Sequence, residues 1–366
     1  MNTLFVSHSG WKGGATSMLL EVIREFIGLG EVHCVVPSRG NLADELELLG
    51  VTVHKIGLKW FAGEDASQGK KIASLIYQYK IDLVITNTIT VADGALAALV
   101  TRTPHIWYIH EILSGDPALV PSVPLEFIYK SVLSMSSIVV AISQAVKREI
   151  EKYAGPSNKI QVVHNGIQVN GMPSKRTYDP VVLTAGGICR RKGQMTLLKA
   201  ARHVIDAIPG AKFMSVGGPW ERDYFDSLRR ERKRLGLTRD QFVFNRVCHD
   251  MPTYYKTGAV FALTSDCEPF GLVLLEAMRE GLPVVATRSG GPQEIIHDGI
   301  TGWLVNVGND VELGNTLVYL LQHPMEADQM GQAGFESVRS GFSRNKFVSN
   351  FMCVIDVAMG AGAKLT

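Results

Sequence analysis

Cysteine is scarce in this sequence of 366 residues, and the five cysteines form no recognisable motif. They are odd in number, widely scattered and never in a C-x-x-C spacing, at Cys34, Cys189, Cys248, Cys267 and Cys353. A disulfide framework or a zinc site therefore has no support. We expect a protein of the reducing cytoplasm.

Long apolar runs and an excess of one charge are also lacking. No apolar stretch approaches the roughly 18 residues of a membrane-spanning helix. The chain enters the strand-like segment TLFVSHS without the basic region and cleavage site of a signal peptide. The net charge is +2, with 14 basic and 15 acidic residues up to residue 168 and 23 and 20 after it. Export, membrane spanning and nucleic-acid binding are therefore disfavoured.

Short apolar runs alternate with helix-like segments along the whole chain. Runs such as LFVSHS and DLVITN in the first half, and VVLTAGG and LPVVATR in the second, are typical of βαβ units around a parallel sheet. A polar segment rich in Gly and Pro at 168–180 indicates a linker. We predict an α/β protein of two doubly wound, Rossmann-like domains, 1–168 and 169–343, with a helix at about 344–366 packing back on the first domain.

The segment EPFGLVLLEAM carries two carboxylates in an otherwise apolar run. Glu268 is expected in a loop, with a helix beginning at Pro269. The first free N–H groups of such a helix form an anion site, here on Phe270, Gly271 and Leu272. Glu276 lies two turns after Pro269 on the same face, where its carboxylate can accept hydrogen bonds from a sugar diol. The segment therefore predicts a site for a phosphate and a sugar.

A second segment, GGICRRKGQMTLLKA, supplies cations in a Gly-bounded loop between a strand and a helix. A diphosphate leaving group needs positive charge, and Arg190, Arg191 and Lys192 can neutralise the charge that develops on it.

Two loops of the first half are further candidates. HSGWKGGATSM opens a helix after the first strand, so that Gly13 and Gly14 allow backbone to approach a phosphate or sugar. WYIHE ends a strand at His110 and Glu111, where α/β folds display functional groups. The glycines do not form G-x-G-x-x-G, and the second strand lacks the acidic residue that holds an NAD ribose, so a dehydrogenase is disfavoured.

The two glutamates match the E-x7-E motif of retaining glycosyltransferases, and the block FALTSDCEPFGLVLLEAMREGLPVVATRSGGPQEIIHDGITGWLV resembles glycosyltransferase family 4. The resemblance is specific over 181–306 and looser elsewhere. It implies the GT-B architecture, two Rossmann-like domains facing one another across a cleft, with the donor held mainly by the second. The implied activity is retaining, metal-independent hexosyl transfer without a cofactor, from a nucleoside-diphosphate sugar such as a UDP- or GDP-sugar.

The resemblance also implies roles for residues of the second domain. Glu268 would contact hydroxyls of the transferred sugar, and Glu276 would hold the ribose. Lys192 ends the family's G-R-x-x-x-x-K-G element at the diphosphate. Gly187 stands where the family's first basic residue usually is, so that either Arg190 or Arg191 reaches the phosphate instead, or Lys192 carries the charge with help from backbone N–H groups.

Other roles follow from the resemblance in the same way. Gly13 and Gly14 would contact the donor, and His110 would line the sugar pocket and position the reacting sugar. The base would lie at FNRVCHDMPTYY, near the backbone groups of Arg246 and Val247. The predicted catalytic residues are His110, Lys192 and Glu268. The predicted donor-binding residues are Gly13, Gly14, Arg191, Lys192, Val247, Glu268, Phe270, Gly271, Leu272 and Glu276.

The acceptor implied by the resemblance is a glycolipid, a lipid-linked saccharide or a surface polysaccharide. The basic segment DSLRRERKRLGL, and LKWFAGED with Trp60 and Phe61, are compatible with peripheral contact with anionic lipid at the inner face of the membrane. A solvated helix face and a packed loop are the alternative interpretations.

Four other functions are alternatives to glycosyl transfer. A glycosidase also uses two carboxylates but has no use for the Lys192 loop. A phosphorylase lacks its pyridoxal phosphate segment here, and an epimerase of the same fold is disfavoured by the complete E-x7-E motif. A non-catalytic nucleotide-sugar-binding subunit stays open because of Gly187. Turnover by the purified chain separates it from an enzyme.

Overall fold

The computed structural model describes residues 1–58, 67–173, 179–245 and 251–362. The chain divides into two compact units. The first comprises Met1–Ser114, Leu119–Asn165 and the chain from Asn345 onward, and the second comprises Gly115–Ala118 and Gly166–Arg344. No feature of the sequence marks Gly115–Ala118 as a part of the second unit.

The first unit is built on a parallel sheet. Its strands are β1 Thr3–Ser7, β2 Val32–Val36, β3 Thr52–Lys55, β4 Leu83–Asn87, β5 His105–Ile109, β6 Ile138–Ala141 and β7 Ile160–Val162. Its helices up to this point are α1 Gly14–Phe26, α2 Asn41–Leu48, α3 Ser67–Gln78, α4 Asp93–Thr101, α5 Leu125–Met135 and α6 Gln144–Ala154. The strand order is β3-β2-β1-β4-β5-β6-β7. Strands β1, β2, β4, β5 and β6 are buried along their whole length, because helices cover both faces of a doubly wound sheet.

The second unit repeats the plan with a sheet of six parallel strands. These are β8 Val181–Ala185, β9 Lys212–Val216, β10 Phe242–Asn245, β11 Val260–Leu263, β12 Val284–Thr287 and β13 Trp303–Val305, in the order β10-β9-β8-β11-β12-β13. The helices are α7 Gln194–Ala207, α8 Arg222–Arg234, α9 Met251–Thr257, α10 Leu272–Arg279, α11 Pro292–Ile295, α12 Asp310–Gln322 and α13 Pro324–Gly341.

The last helix, α14 Arg344–Gly362, groups with the first unit from Asn345 onward. Its buried Phe351 meets Tyr108 of β5 edge-on, with ring centroids 5.0 Å apart. Apolar packing on the first sheet therefore holds this helix.

The strand order reverses beside the first strand of each sheet, and ligands of open α/β sheets bind at the carboxyl edge next to that point. In the first unit β1 lies between β2 and β4, and in the second β8 lies between β9 and β11. The loops after β1, β4 and β5, and those after β8 and β11, therefore lie where functional groups are expected. The predicted pair of Rossmann-like α/β units is present.

None of the helices in the described ranges is both long enough and apolar enough to cross a membrane.

Candidate active site

The helix of the E-x7-E segment begins at Leu272, so the prediction that it begins at Pro269 was wrong. Gly271 precedes it with φ 113°, a left-handed conformation that favours glycine and turns the chain before the helix can start. The N–H groups of Gly271 and Leu272 have no hydrogen-bond partner among the described residues. The start of α10 therefore still offers donors of the kind that bind phosphate.

Glu268 is buried in the loop before α10 and is held by two side chains. Its Oε2 lies 2.6 Å from Lys192 Nζ and accepts a hydrogen bond from Ser265 Oγ at 2.9 Å. Burial alone would raise the pKa of Glu268, but the charges of Lys192 and Arg191, with the hydrogen bonds from Lys192 and Ser265, bring it below its ordinary value. The carboxylate is therefore ionised at neutral pH.

The backbone of Glu268 is clamped by the segment SGGPQEII. Its N–H donates to Ser289 O at 3.0 Å, and its carbonyl oxygen accepts from Gly291 N–H at 2.7 Å. A Cβ on Gly291 would lie 2.2 Å from the Cα of Phe270, so only glycine allows this approach. The segment supports the loop that carries the carboxylate.

Lys192 reaches Glu268 because two loops are joined through their backbones. Arg190–Lys192 form a 3₁₀ turn, and Gly193 follows with φ 61°. A Cβ on Gly193 would lie 1.9 Å from the carbonyl oxygen of Thr264 at the end of β11. Asp266 N–H donates to Arg191 O at 2.8 Å. The structure thus brings together two predicted residues that are 76 positions apart.

The two arginines of this turn have different surroundings. Arg190 is 55% exposed and pairs with Asp223 of α8 at 2.9 Å. Arg191 is mostly buried, and its Nε lies 2.8 Å from Asp116 Oδ2 of the Gly115–Ala118 segment. Burial would lower the pKa of Arg191, but the carboxylates of Glu268 and Asp116 raise it above its ordinary value. Of the two, Arg191 lies close to the carboxylate of Glu268.

An indole covers the position where the family usually has its first basic residue. A Cβ on Gly187 would lie 2.1 Å from a ring atom of Trp220, although Trp220 itself is 69% exposed. Gln194 Nε2 donates to the Gly187 carbonyl oxygen at 3.0 Å, and Gln194 Oε1 is buried without a hydrogen-bond partner among the described residues. Trp220 is a residue that sequence reasoning missed, because nothing in the motif marks it.

Glu276 lies on α10 and is held by an aromatic hydroxyl. Tyr255 Oη donates to Glu276 Oε2 at 2.7 Å. Burial raises the pKa of Glu276, and the hydrogen bond from Tyr255 and the charge of Arg279 partly offset this. Its other oxygen, Oε1, has no hydrogen-bond partner in the described part of the chain. One oxygen is thus fixed while the other can accept from a ligand hydroxyl.

In the first unit, His110 directly follows β5, and its ring is oriented by Asn87 at the end of β4. Asn87 Nδ2 donates to the carbonyl oxygen of Ala15 at 3.3 Å, which turns Asn87 Oδ1 towards His110 Nε2 at 2.8 Å. Since that oxygen can only accept, Nε2 carries the proton. Burial, with a smaller contribution from His8, lowers the pKa of His110 to about 3. The ring is therefore neutral, with Nδ1 as its acceptor.

The backbone around Asn87 is also constrained. Thr88 adopts φ 76°, a conformation in which a β-branched residue is an outlier. Glu111 Oε2 accepts from the N–H groups of Ile89 and His110, both at 3.1 Å. Glu111, whose role the sequence left open, thus ties the ends of β4 and β5 together. The polar end of the strand DLVITN was the signal that could have identified Asn87.

Gly13 and Gly14 lie at the start of α1. Gly13 N–H donates to Thr16 Oγ1 at 2.7 Å, whereas Gly14 N–H has no partner among the described residues. Gly13 has an extended backbone, and a Cβ there would meet only Thr16 Oγ1 at 3.9 Å. Nothing within the described chain therefore requires glycine at position 13.

Four predicted residues fall outside the described ranges. They are Arg246 and Val247 of the proposed base site and the aromatic pair Trp60 and Phe61 of the proposed membrane contact.

Comparisons with known proteins decide the family. A model described as Glycosyltransferase Family 4 matches residues 12–170, and one described as Glycosyl transferases group 1 matches residues 172–337. The chain belongs to glycosyltransferase family 4. The E-x7-E segment and the Lys192 loop of this family member both lie within the second match.

The chain is also similar in sequence to individual curated proteins. The chain is 31% identical over 221 residues to the GDP-mannose-dependent alpha-(1-6)-phosphatidylinositol monomannoside mannosyltransferase of Mycolicibacterium smegmatis, an alignment of 54% of this chain and 56% of that protein. It is 26% identical over 251 residues to the N-acetyl-alpha-D-glucosaminyl L-malate synthase of Bacillus anthracis, covering 66% and 63%. These matches span between half and two thirds of those relatives.

Solved structures confirm the GT-B fold of this family 4 chain. HepE of Anabaena, solved in complex with UDP-glucose, has a TM-score of 0.84 at 23% identity, covering 97% of this chain and 99% of that one. Sucrose-phosphate synthase of Thermosynechococcus elongatus has a TM-score of 0.78 at 20% identity, covering 98% and 99%.

Proposed function

We propose that this glycosyltransferase moves a sugar from a nucleoside-diphosphate sugar, with UDP or GDP as the carrier, to an acceptor hydroxyl with retention of the anomeric configuration. The observation that carries the proposal is the meeting of Lys192, Glu268 and the start of α10. A cation at 2.6 Å from a buried carboxylate lies in loops at the carboxyl edge of the second sheet, beside two open backbone N–H groups. A diphosphate and a sugar hydroxyl are the groups that such a combination suits.

The proposed reaction proceeds on one face of the sugar. The bond from the anomeric carbon to the β-phosphate oxygen breaks, and a bond to the acceptor oxygen forms on the same side. The acceptor proton passes to an oxygen of the departing diphosphate. Lys192 and the N–H groups of Gly271 and Leu272 stabilise the growing negative charge, and no metal or other cofactor is part of the proposal.

The other residues keep roles within this proposal. Glu268 accepts from hydroxyls of the transferred sugar, and the open oxygen of Glu276 accepts from the ribose. Arg191 replaces the family's first basic residue, because Arg190 is paired with α8 whereas Arg191 lies beside Glu268. As the family resemblance implies, the donor is contacted by Gly13 and Gly14, and the sugar pocket is lined by His110, which positions the reacting sugar.

The acceptor we propose is a glycolipid, a lipid-linked saccharide or a surface polysaccharide. The names of two relatives support this, since one is a phosphatidylinositol monomannoside mannosyltransferase and another is a lipopolysaccharide core biosynthesis glycosyltransferase of Rhizobium meliloti. Such acceptors suit an enzyme of the cytoplasm that makes peripheral contact with the inner face of the membrane.

Nucleotide binding is the first test. Thermal stability of the purified chain is measured with UDP, GDP, ADP, CMP and dTDP, where a nucleotide at about 100 times its dissociation constant raises the free energy of unfolding by about 2.7 kcal/mol. We expect a shift with one carrier nucleotide that Glu276→Ala abolishes. Glu280→Ala, which removes a carboxylate one residue past the end of the same helix, is the matched control and keeps the shift. If no nucleotide shifts the unfolding temperature, the proposal fails.

Turnover then separates the enzyme from a non-catalytic subunit. The purified chain with the matching nucleotide-sugar should release the nucleoside diphosphate and form an α-linked product from an α-linked donor. Binding without product release would identify a binding subunit, and an inverted product would exclude the retaining course.

A further inference from the structure

A cationic cleft lies in the second unit at the carboxyl end of α8. It has a volume of about 620 Å³ and is lined by Arg229, Arg230, Arg232, Lys233 and Arg239, with Asp226 as the one acidic residue among the described residues that line it. This volume is within the range of about 300–1,000 Å³ typical of small-molecule sites. Within the described part of the lining, Leu237 is the one large apolar residue, so the cleft suits a polar ligand.

The cleft is distinct from the proposed donor site. Helix α8 connects β9 to β10, so its first turn lies at the carboxyl edge of the sheet and its last turn at the opposite edge. Asp223 in the first turn contacts Arg190 of the Lys192 loop. Arg229, the lining cation nearest to that turn in the chain, is 6 residues later, or about 9 Å along the helix axis, and Lys233 is 10 residues later, or about 15 Å. A donor held at the carboxyl edge therefore does not account for the positive charge in the cleft.

The positive charge in the cleft is largely unneutralised. Arg229 lies 3.5 Å from Asp226, but Arg230, Arg232, Lys233 and Arg239 have no carboxylate within ion-pair distance in the described ranges. Arg232 is only partly exposed, donates to the Phe242 carbonyl oxygen at 3.1 Å and lies over the ring of Phe244 at 5.7 Å. Burial, and then the charges of Arg239 and Arg229, lower the pKa of Arg232. The guanidinium group of Arg232 is therefore repelled by those of Arg239 and Arg229.

The helix dipole explains only a part of this arrangement. Cations in the last turn of a helix are favourable, which accounts for Arg232, Lys233 and Arg234. Arg239 lies beyond the helix, after the turn at Gly236, and nevertheless lines the same cleft. Arg234 is in the last turn but pairs with Glu231 and does not line it. The lining thus combines the end of α8 with the segment after Gly236. Both segments are basic, and the helix dipole accounts only for the cations of the first.

We propose that this cleft binds a phosphoryl group carrying two or more negative charges, either on a soluble phosphate compound or on a lipid headgroup. Guanidinium groups form bidentate, charge-assisted hydrogen bonds with phosphate oxygens, and a ligand of this charge relieves the repulsion among the arginines. The cleft is a second anion site of the chain, separate from the nucleotide.

Inorganic pyrophosphate is the soluble probe, measured by isothermal titration calorimetry on the full chain. The test variant is Arg229→Gln with Arg239→Gln, which leaves the hydrogen bond of Arg232 to Phe242 intact. Arg234→Gln is the matched control on the same helix, and Lys192→Ala removes the cation of the proposed donor site. We expect the test variant to lose at least about tenfold in affinity, because each arginine makes charge-assisted hydrogen bonds. Arg234→Gln should keep all pyrophosphate binding, and Lys192→Ala, which weakens only the diphosphate site of the proposed donor pocket, should keep the binding in the cleft. Circular dichroism confirms that each variant is folded.

Vesicles identify the source of the phosphoryl group. Flotation is compared with vesicles of phosphatidic acid, of phosphatidylglycerol matched for total charge, and of phosphatidylcholine. A preference for phosphatidic acid that the test variant loses would identify a lipid phosphomonoester, whereas pyrophosphate binding without vesicle binding would identify a soluble ligand. Pyrophosphate binding that is unchanged in the test variant, or lost only in Lys192→Ala, overturns the proposal. Neither result bears on nucleotide binding at Glu276.

Discussion

The indole of Trp220 lies over Gly187, so closely that a Cβ on residue 187 would be 2.1 Å from the ring. The family usually has a basic residue at this position. The structure thus places an aromatic ring where that residue's side chain would begin, and a cation, Arg191, reaches the neighbourhood of Glu268 from four positions further along the chain.

The change Gly187→Arg restores a basic residue at this position and tests whether Arg191 has taken over its role. Because Trp220 is 69% exposed, its ring can turn into solvent, and we expect Gly187→Arg to fold. The added guanidinium should raise affinity for the carrier nucleoside diphosphate by about tenfold, the effect of one charge-assisted hydrogen bond. Calorimetry measures this, with Trp220→Ala as the control for displacement of the ring. Unchanged affinity in Gly187→Arg would mean that position 187 does not face the diphosphate.

The ion pair of Lys192 and Glu268 is predicted to serve both stability and activity. Lys192→Met leaves a buried carboxylate without its closest cation, so the free energy of unfolding should fall by about 3 kcal/mol. Transfer should fall by about 10² to 10³ in kcat, as for loss of one group that stabilises developing charge. In the double variant Lys192→Met with Glu268→Gln, stability should recover while activity stays low. Chemical denaturation and initial rates check this, and a fully active Lys192→Met would contradict the role of Lys192.

The pairing of Asn87 with His110 predicts a change in titration. Asn87→Asp places a carboxylate beside Nε2–H, and a nearby anion favours the imidazolium, so the pKa of His110 should rise from about 3 towards its ordinary value. Nuclear magnetic resonance of the labelled ring follows the titration, with Asn87→Leu as a control that adds no charge. An unshifted pKa in Asn87→Asp would show that the two side chains are not in contact.

The first unit is predicted to lose stability in acid. Burial lowers the pKa of both His105 and His110 to about 3, and that of His8 to about 4. As the pH falls below 6.5, the unfolded chain takes up protons that the folded chain does not. The contribution of these histidines to the free energy of unfolding is therefore fully present above pH 6.5. At lower pH it decreases by up to about 1.4 kcal/mol per pH unit for each histidine.

His105→Asn isolates one of these contributions. Its slope of stability against pH between 6 and 4 should be shallower than that of the wild type by about 1.4 kcal/mol per unit. Hydrogen exchange of β5 amides reports on this unit, and His323→Asn, at an exposed residue, is the control. An equal slope in His105→Asn and the wild type would contradict the prediction, whatever the absolute stability of the variant.

Local patterns determined much of this protein in advance. The alternation of apolar runs predicts two Rossmann-like units, because the burial pattern of a strand or helix can be recognised from the spacing of apolar residues within a short stretch of sequence. The two glutamates and Lys192 are recognisable for the same reason, since their loops are short and their spacing is regular. Local patterns were insufficient at Pro269, because the left-handed turn at Gly271 delays the helix to Leu272.

Tertiary structure alone decided which groups meet. Lys192 and Glu268 are 76 positions apart and come together only because β8 and β11 are neighbours in the sheet. The same packing sets Trp220 against Gly187 and turns Arg190, rather than Arg191, towards α8. Asn87 acquires its role through β4 and β5, which lie side by side. A sequence records which residues are present, but contacts across a sheet depend on strand order, and distant pairings leave no periodic signal in the chain.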